Sequence, residues 1–258
     1  MSELILVEKR GHTALLTMNN PPAKTWTEAS LKALKATVET LNNDKDIYAL
    51  VITGQGDKFF SAGADLKLFA DGDFGVARNM ARYFGEAFEA LSQFRGVSIA
   101  AINGFAMGGG LEVALACDLR VAEEQAQMAL PEAKVGLLPC AGGTQNLLNL
   151  TSMAWAKRLI LCGERIKAPK ALEIGLVEEL VPQGEALAKA LEMAEAVAQQ
   201  SPSAVAACKE LIQLAHQRNN TITLPTEREF FVDLFHTQDQ KEGVNAFLEK
   251  RKPEWKNS

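Results

Sequence analysis

Gly104–Glu112 reads GFAMGGGLE: three consecutive glycines between a methionine and an acid, directly after the apolar run VSIAAI (Val97–Ile102). Glycine weakens strands and helices by up to ~1 kcal/mol each, so a triplet calls for a compensating role. Bare backbone lets N–H groups approach a ligand without side-chain obstruction. Gly108–Gly110 follows the strand-like run and opens an apolar helical one through Leu111, Ala114 and Leu115. The first turn of a helix carries unpaired N–H donors and the positive end of its dipole. An oxygen that becomes negative during a reaction is stabilised there. Glu112 shares that turn, which helps keep it ionised, as a general base requires. Read alone, though, the stretch is better explained by close helix–strand packing beside an ordinary helix-start acid.

Two further segments have a similar character. Phe59-Phe60-Ser61-Ala62-Gly63-Ala64-Asp65 places small residues behind aromatics, again leaving backbone amides open to a ligand or simply forming a tight loop. Ala129-Leu130-Pro131-Glu132 sets a carboxylate among apolar residues, ahead of Val135-Gly136-Leu137-Leu138-Pro139. Apolar surroundings raise a carboxyl pKa and suit it to act as an acid, whereas most loop glutamates are surface charges.

Outward from these segments the chain alternates strand and helix. Leu4–Val7 and Ala14–Met18 read as a hairpin, and Asn19-Asn20-Pro21-Pro22 breaks the chain. From Thr27, Leu31, Leu34, Val38 and Leu41 recur at helical spacing. Ile47–Thr53 and Val97–Ile102 read as buried strands with a helix around Ala77–Phe94 between them, and Leu119–Val121 as a shorter strand. Beyond about Met153, helices dominate over Ala154–Leu161, Gly184–Gln200, Ser203–Gln217 and Glu227–Phe235, with Gly175–Val181 the one strand-like run. The pattern predicts an α/β core followed by a helical C-terminal part.

Bulk properties narrow the function. The chain has 258 residues, 47% of them hydrophobic, enough for a sizeable core, and a formal net charge of −5 that offers no footprint for nucleic acid. No apolar run approaches the ~20 residues of a membrane span. The start, MSELILVEKRGH, lacks the apolar core of a secretory leader, so a cytoplasmic protein is expected. The four cysteines (Cys117, Cys140, Cys162, Cys208) are far apart, and neither a metal site nor a disulfide framework is expected. There is no phosphate loop, and the glycines at 104, 108, 109 and 110 do not fit G-x-G-x-x-G. Ser98 in GVSIA is a near miss for a nucleophile elbow, because it enters a strand instead of a strand-to-helix turn. Asp71-Gly72-Asp73 reads as a turn.

Together, FSAGADL (Phe60–Leu66), NGFAMGGGLEVALACDLRVA (Asn103–Ala122) and LPEAKVGLLPCAGGTQNL (Leu130–Leu147) resemble the signatures of the enoyl-CoA hydratase/isomerase (crotonase) family, in the same order and with similar separations. The Pro-Pro break near the start and KEGVNAFLEKRKPEW (Lys241–Trp255) extend the resemblance over essentially the whole chain. It implies a crotonase-like spiral of ββα units over residues 1–195, which would hold the active site. Residues 196–258 would form a helical region that builds a homotrimer or a dimer of trimers. It also implies an acyl-CoA thioester substrate and no cofactor beyond the CoA that is part of it.

By motif position, the thioester oxygen would be held by the backbone amides of Ala62 and Gly109. Glu112 would take a proton from water, and Glu132 would deliver one to the α-carbon. Gly63, Ala64, Asp65, Leu66, Lys24 and Gly108 would line the substrate and CoA site, with Lys67 and Lys250–Lys252 further candidates for the CoA phosphates. The sequence departs from the family pattern at Ala23-Lys24-Thr25-Trp26, where many members carry Asn-Ala-Leu. It departs again at Cys140, which replaces a glycine, and at Asn146, which replaces an arginine. The aromatics Phe69, Phe74, Tyr83, Phe84 and Phe88 either line an acyl pocket or pack in the core. The expected activity is hydration of a 2-enoyl-CoA; the alternatives are double-bond isomerisation on the same fold and acyl-CoA binding without catalysis.

Overall fold

The structure, a computed structural model, describes residues 4–217 and 220–258, with the backbone alone at 216–217 and 220–225; residues 1–3, part of the stretch read for a leader, lie outside it. A six-stranded sheet is built from β1 (Ile5–Arg10), β2 (Thr13–Met18), β3 (Ala49–Gly54), β5 (Val97–Ile102), β7 (Leu119–Glu123) and β10 (Glu179–Val181), in the order β1-β2-β3-β5-β7-β10. The expected hairpin is the antiparallel β1–β2 pair, and every later pairing in this sheet is parallel. Its inner strands β3 and β5 read as near-continuous apolar runs because both of their faces are covered, whereas the edge strand β1 is largely exposed. Leu16, Leu50, Ile52, Ala100 and Ile102 pack into the main core. On the opposite face, Leu15, Val51, Ile99, Ala101 and Val121 meet Ala186, Ala190 and Ala194 of α7 (Ala186–Ala198), whose small side chains let the helix lie close to the sheet.

A second sheet was not legible in the sequence, because its strands span only two or three residues: β4 (Phe59–Ser61), β6 (Phe105–Met107), β8 (Gln127–Ala129) and β9 (Ile166–Lys167), in that order. Each of β4, β6 and β8 follows one long strand after a short turn and precedes a helix or helical turn, which makes the repeated unit ββα. Asn103 fixes one such turn, with its Nδ2 donating to Gly54 O at 2.7 Å and Gly56 O at 2.6 Å. Of the run Gly175–Val181, only Glu179–Val181 pairs as a strand.

The helix expected from Thr27 is α1 (Glu28–Asn43), capped by the Thr27–Ser30 capping box and burying Leu31, Leu34, Val38 and Leu41. Asp73 caps α2 (Phe74–Ser92) by accepting from Val76 N at 2.8 Å, so the Asp-Gly-Asp run is a helix entry. Ser98 lies in β5, where its Oγ hydrogen-bonds to Asp118. The chain then forms α3 (Gly109–Leu115), α4 (Gly143–Leu150), α5 (Met153–Leu161) and α6 (Ala168–Glu173). Beyond α7 follow α8 (Pro202–Gln217), α9 (Asn220–Asp233) and α10 (Gln238–Glu249). Among the described residues, no helix is long and apolar enough to cross a membrane.

Candidate active site

The glycine triplet turns β6 into α3. Gly108 sits at φ +54°, a left-handed conformation that side chains resist, and its carbonyl accepts from both Leu111 N and Glu112 N. Gly110 lies so close to β4 that an added Cβ would stand 2.1 Å from Ser61 O. Helix–strand packing is thus one real reason for the triplet. The second is the N–H of Gly109, which opens the helix and has no acceptor among the described residues.

All of α3 is buried, Glu112 included, at 2% exposure. Its Oε1 accepts from Ala141 N at 2.8 Å and Gly143 N at 2.9 Å, two amides at the start of α4. Burial pushes the Glu112 pKa up, and those two donors pull it back. Glu132 stands in a 3₁₀ turn, Glu132–Val135, after Pro131. Neither of its side-chain oxygens reaches solvent or finds a hydrogen-bond partner among the described residues. Burial raises its pKa to about 7, and the nearby Glu112 charge adds to the rise. A Cβ on Gly108 would come within 3.0 Å of Glu132 Oε1, so the second carboxyl group lies against the glycine triplet. Cys140 is an exposed residue whose thiol belongs to the same cluster: partial desolvation, then the charges of Glu112 and Glu132, push it up to about 11.

The other arm corrects one expectation. The N–H of Ala62 donates to Ala23 O at 2.9 Å and is not free for a substrate oxygen. Two residues on, Trp26 N donates to Gly63 O at 2.8 Å and Asp65 N to Trp26 O at 3.1 Å, a parallel bridge that brackets Ala64. That pattern turns the Ala64 N–H away from Trp26, and it has no acceptor among the described residues. A Cβ built on neighbouring Gly63, at φ +88°, would stand 3.2 Å from Gly109 N, which places the two arms side by side. The free amide of the SAGAD loop is therefore that of Ala64.

The remaining candidates divide. Asp65 caps the 3₁₀ turn Leu66–Phe69 by accepting from Lys67 N, and Leu66 is 49% exposed. The Lys24 ammonium donates to Pro22 O at 3.4 Å. Arg251 is held by Glu242 and Glu249, which neutralises the centre of the Lys250–Lys252 cluster. Phe84 and Phe88 are core residues, Phe69 and Tyr83 are half-buried, and Phe74 is 90% exposed. Sequence reading missed the Ala141 and Gly143 donors and the bracing by Trp26. The Cys-Ala-Gly-Gly run and the Trp26 departure were the available signals.

Free amides at Ala64 and Gly109 thus stand with two unequal buried carboxyl groups on a spiral of ββα units. The family model for enoyl-CoA hydratase/isomerase matches residues 8–258, and the chain belongs to that family. It is 37% identical to the short-chain-enoyl-CoA hydratase of Clostridium acetobutylicum over 97% of this chain and 96% of that protein. It is 39% identical to the 2,3-dehydroadipyl-CoA hydratase of Escherichia coli K12 over 99% of both. Among solved structures, Pseudomonas aeruginosa DspI superimposes with a TM-score of 0.96 at 65% identity, covering 99% of this chain and 97% of that one. The enoyl-CoA hydratase of Bacillus anthracis superimposes with a TM-score of 0.95 at 37% identity, covering 99% and 100%.

Proposed function

We propose that this protein is an enoyl-CoA hydratase, which adds water reversibly across the 2,3 double bond of a 2-enoyl-CoA thioester to give a 3-hydroxyacyl-CoA. The observation that carries the reading is the inequality of Glu112 and Glu132. Glu112, with two amide donors on one oxygen, is the group held ionised; Glu132, with no donor and a pKa of about 7, keeps a proton near neutrality. In the hydration direction, Glu112 accepts a proton from water as the oxygen bonds to the β-carbon. The π electrons move towards the thioester, whose oxygen is held by the N–H groups of Ala64 and Gly109. Collapse of that enolate takes the Glu132 proton onto the α-carbon. Exchange with solvent then returns Glu112 to its ionised state and Glu132 to its protonated one. The two curated relatives named above are both hydratases, which supports the reading.

The protein is further proposed to be a cytoplasmic homotrimer or dimer of trimers assembled through residues 196–258. In support, Phe231 and Phe235 near the end of α9, and Phe247 and Leu248 on α10, are all more than half exposed, with Phe247 at 83%.

Purified protein incubated with 2-enoyl-CoA esters of several chain lengths is expected to bleach the conjugated thioester absorbance and yield 3-hydroxyacyl-CoA. No water addition at any chain length overturns the proposal. Incubation with a 3-enoyl-CoA tests isomerisation, which one carboxyl group titrating near neutrality, as Glu132 does, is able to support.

A further inference from the structure

The break at residues 20–26 has a role that its departure from the family pattern hides. Residues 23–26 run beside residues 61–65, joined by Ala62 N to Ala23 O, Ser61 Oγ to Lys24 O (2.7 Å), Trp26 N to Gly63 O and Asp65 N to Trp26 O. Asn20 Nδ2 braces the loop from behind through Thr25 O at 2.6 Å. Trp26 ends this seam, and its side chain continues inward instead of out. The indole is 1% exposed, and its Nε1 donates to Gly109 O at 3.2 Å, 83 residues away in the chain. The ring meets Phe88 edge-on at 5.5 Å, and Phe88 meets Phe84 edge-on at 5.7 Å. Phe84 and Trp26 close over Gly109, where a Cβ would come within 2.9 Å of one and 3.4 Å of the other.

One residue therefore holds both arms of the carbonyl site: its backbone brackets Ala64, and its indole fixes Gly109. We propose that Trp26 is a positioning residue that sets the spacing and direction of the Ala64 and Gly109 N–H groups. The inference rests on the reading of those amides as donors to a thioester oxygen.

The physical basis is that such donors act only when aimed at where charge develops, and small misplacements weaken them strongly. A backbone bridge alone would fix Ala64 and leave Gly109 free to shift with α3. The indole bond ties the two together across the apolar ring cluster. Where the bicyclic ring is kept and only its N–H is lost, the packing stays filled, so the effect falls on aim more than on folding.

The test compares the wild type with Trp26→Phe and with a variant carrying 3-benzothienylalanine at position 26, which keeps the bicyclic shape and lacks the N–H. The first readout is the infrared stretch of the thioester carbonyl in bound, unreactive saturated acyl-CoA labelled with ¹³C at that carbon. The second is kcat against KM for a 2-enoyl-CoA. In the wild type the stretch is expected below that of the free thioester. In both variants most of that downshift is expected to be lost, with kcat down about tenfold and KM within twofold. If Trp26→Phe does not fold, the benzothienyl variant decides. Wild-type carbonyl shift and kcat in the variants, even with a lowered Tm, overturn the proposal and assign Trp26 to packing alone. Absence of a downshift in the wild type itself overturns the reading of the amides and the Trp26 proposal together, and is told apart by the protein in which it appears.

Discussion

Glu112 and Glu132 are both buried carboxyl groups, and they are solvated by the protein in opposite ways. Glu112 Oε1 takes two backbone N–H donors at 2.8 and 2.9 Å, whereas neither oxygen of Glu132 has a partner among the described residues. Donors to a carboxylate favour its charged form, and burial without donors favours the neutral one. Two like groups are thereby pushed towards different protonation states, the inequality on which the proposed base and acid roles rest.

The pH profile of kcat/KM is expected to be a bell. Glu112 must be ionised, so activity falls as pH drops through its pKa, which burial has raised above the ordinary 4.5. Glu132 must be protonated for hydration, so activity falls as pH rises through about 7. The two limbs belong to the pair as a whole, because the groups interact. A rate that stays flat from pH 6 to 9 for a chemistry-limited substrate contradicts the assignment.

Glu112→Gln and Glu132→Gln are each expected to lower kcat by about 10²–10⁴-fold while acyl-CoA binding persists, measured by calorimetry with a saturated analogue. Binding lost together with turnover would point to collapse of the pocket. For Glu132→Gln the stability effect has the opposite sign. The folded pKa of about 7 exceeds the ordinary 4.5, so the folded protein holds that proton more tightly than the unfolded chain. No penalty exists below about pH 4, and it grows as pH rises through the interval to about 7. The variant is expected to gain about 2 kcal/mol on the wild type between pH 4 and pH 8, after allowance for partial solvent screening. Denaturant melts at the two pH values check this.

Gly110→Ala tests the packing half of the glycine triplet. The new Cβ would stand 2.1 Å from Ser61 O, a backbone atom that has no rotamer to escape into. A loss of about 3 kcal/mol or more is expected, seen as a fall in Tm of at least about 6 °C. A Tm within a degree of the wild type would show that α3 and β4 are further apart than described.

Cys140 is expected to be a slow thiol despite its place at the site. With its pKa pushed to about 11, roughly one molecule in a thousand or fewer carries a thiolate at pH 7.5. Cys140, Cys162 and Cys208 are all exposed, so iodoacetamide labelling followed by peptide mass spectrometry should modify Cys162 and Cys208 well before Cys140 on the strength of its raised pKa alone. Labelling of Cys140 at the rate of Cys162 would contradict the raised pKa of its thiol beside two carboxyl groups.

Much of this was legible in order along the chain. The long strands announced themselves as continuous apolar runs because both sheet faces are covered, and Leu31, Leu34, Val38 and Leu41 gave α1 by spacing alone. The short strands of the second sheet did not, since Phe59–Ser61 or Phe105–Met107 is too brief to show a period. Glu112 and Glu132 were legible as candidates by residue type and motif. Ala62 was the wrong amide of its loop, because a motif fixes neighbours and does not reveal which N–H already has an acceptor.

The sequence by itself determined the strand–helix alternation of an α/β core and the glycine turn into a helix, since these follow from periodicity and backbone freedom carried locally. The spiral and the pairing of the two acids came from the resemblance of its motifs to the family. Only the tertiary structure decided which groups are free and which acid keeps its proton. Those properties depend on partners distant in the chain: Ala23 occupies the Ala62 amide, Ala141 and Gly143 solvate Glu112, and Trp26 reaches Gly109. Desolvation and hydrogen-bond satisfaction are set by what surrounds an atom in space, and the order of residues does not record that directly.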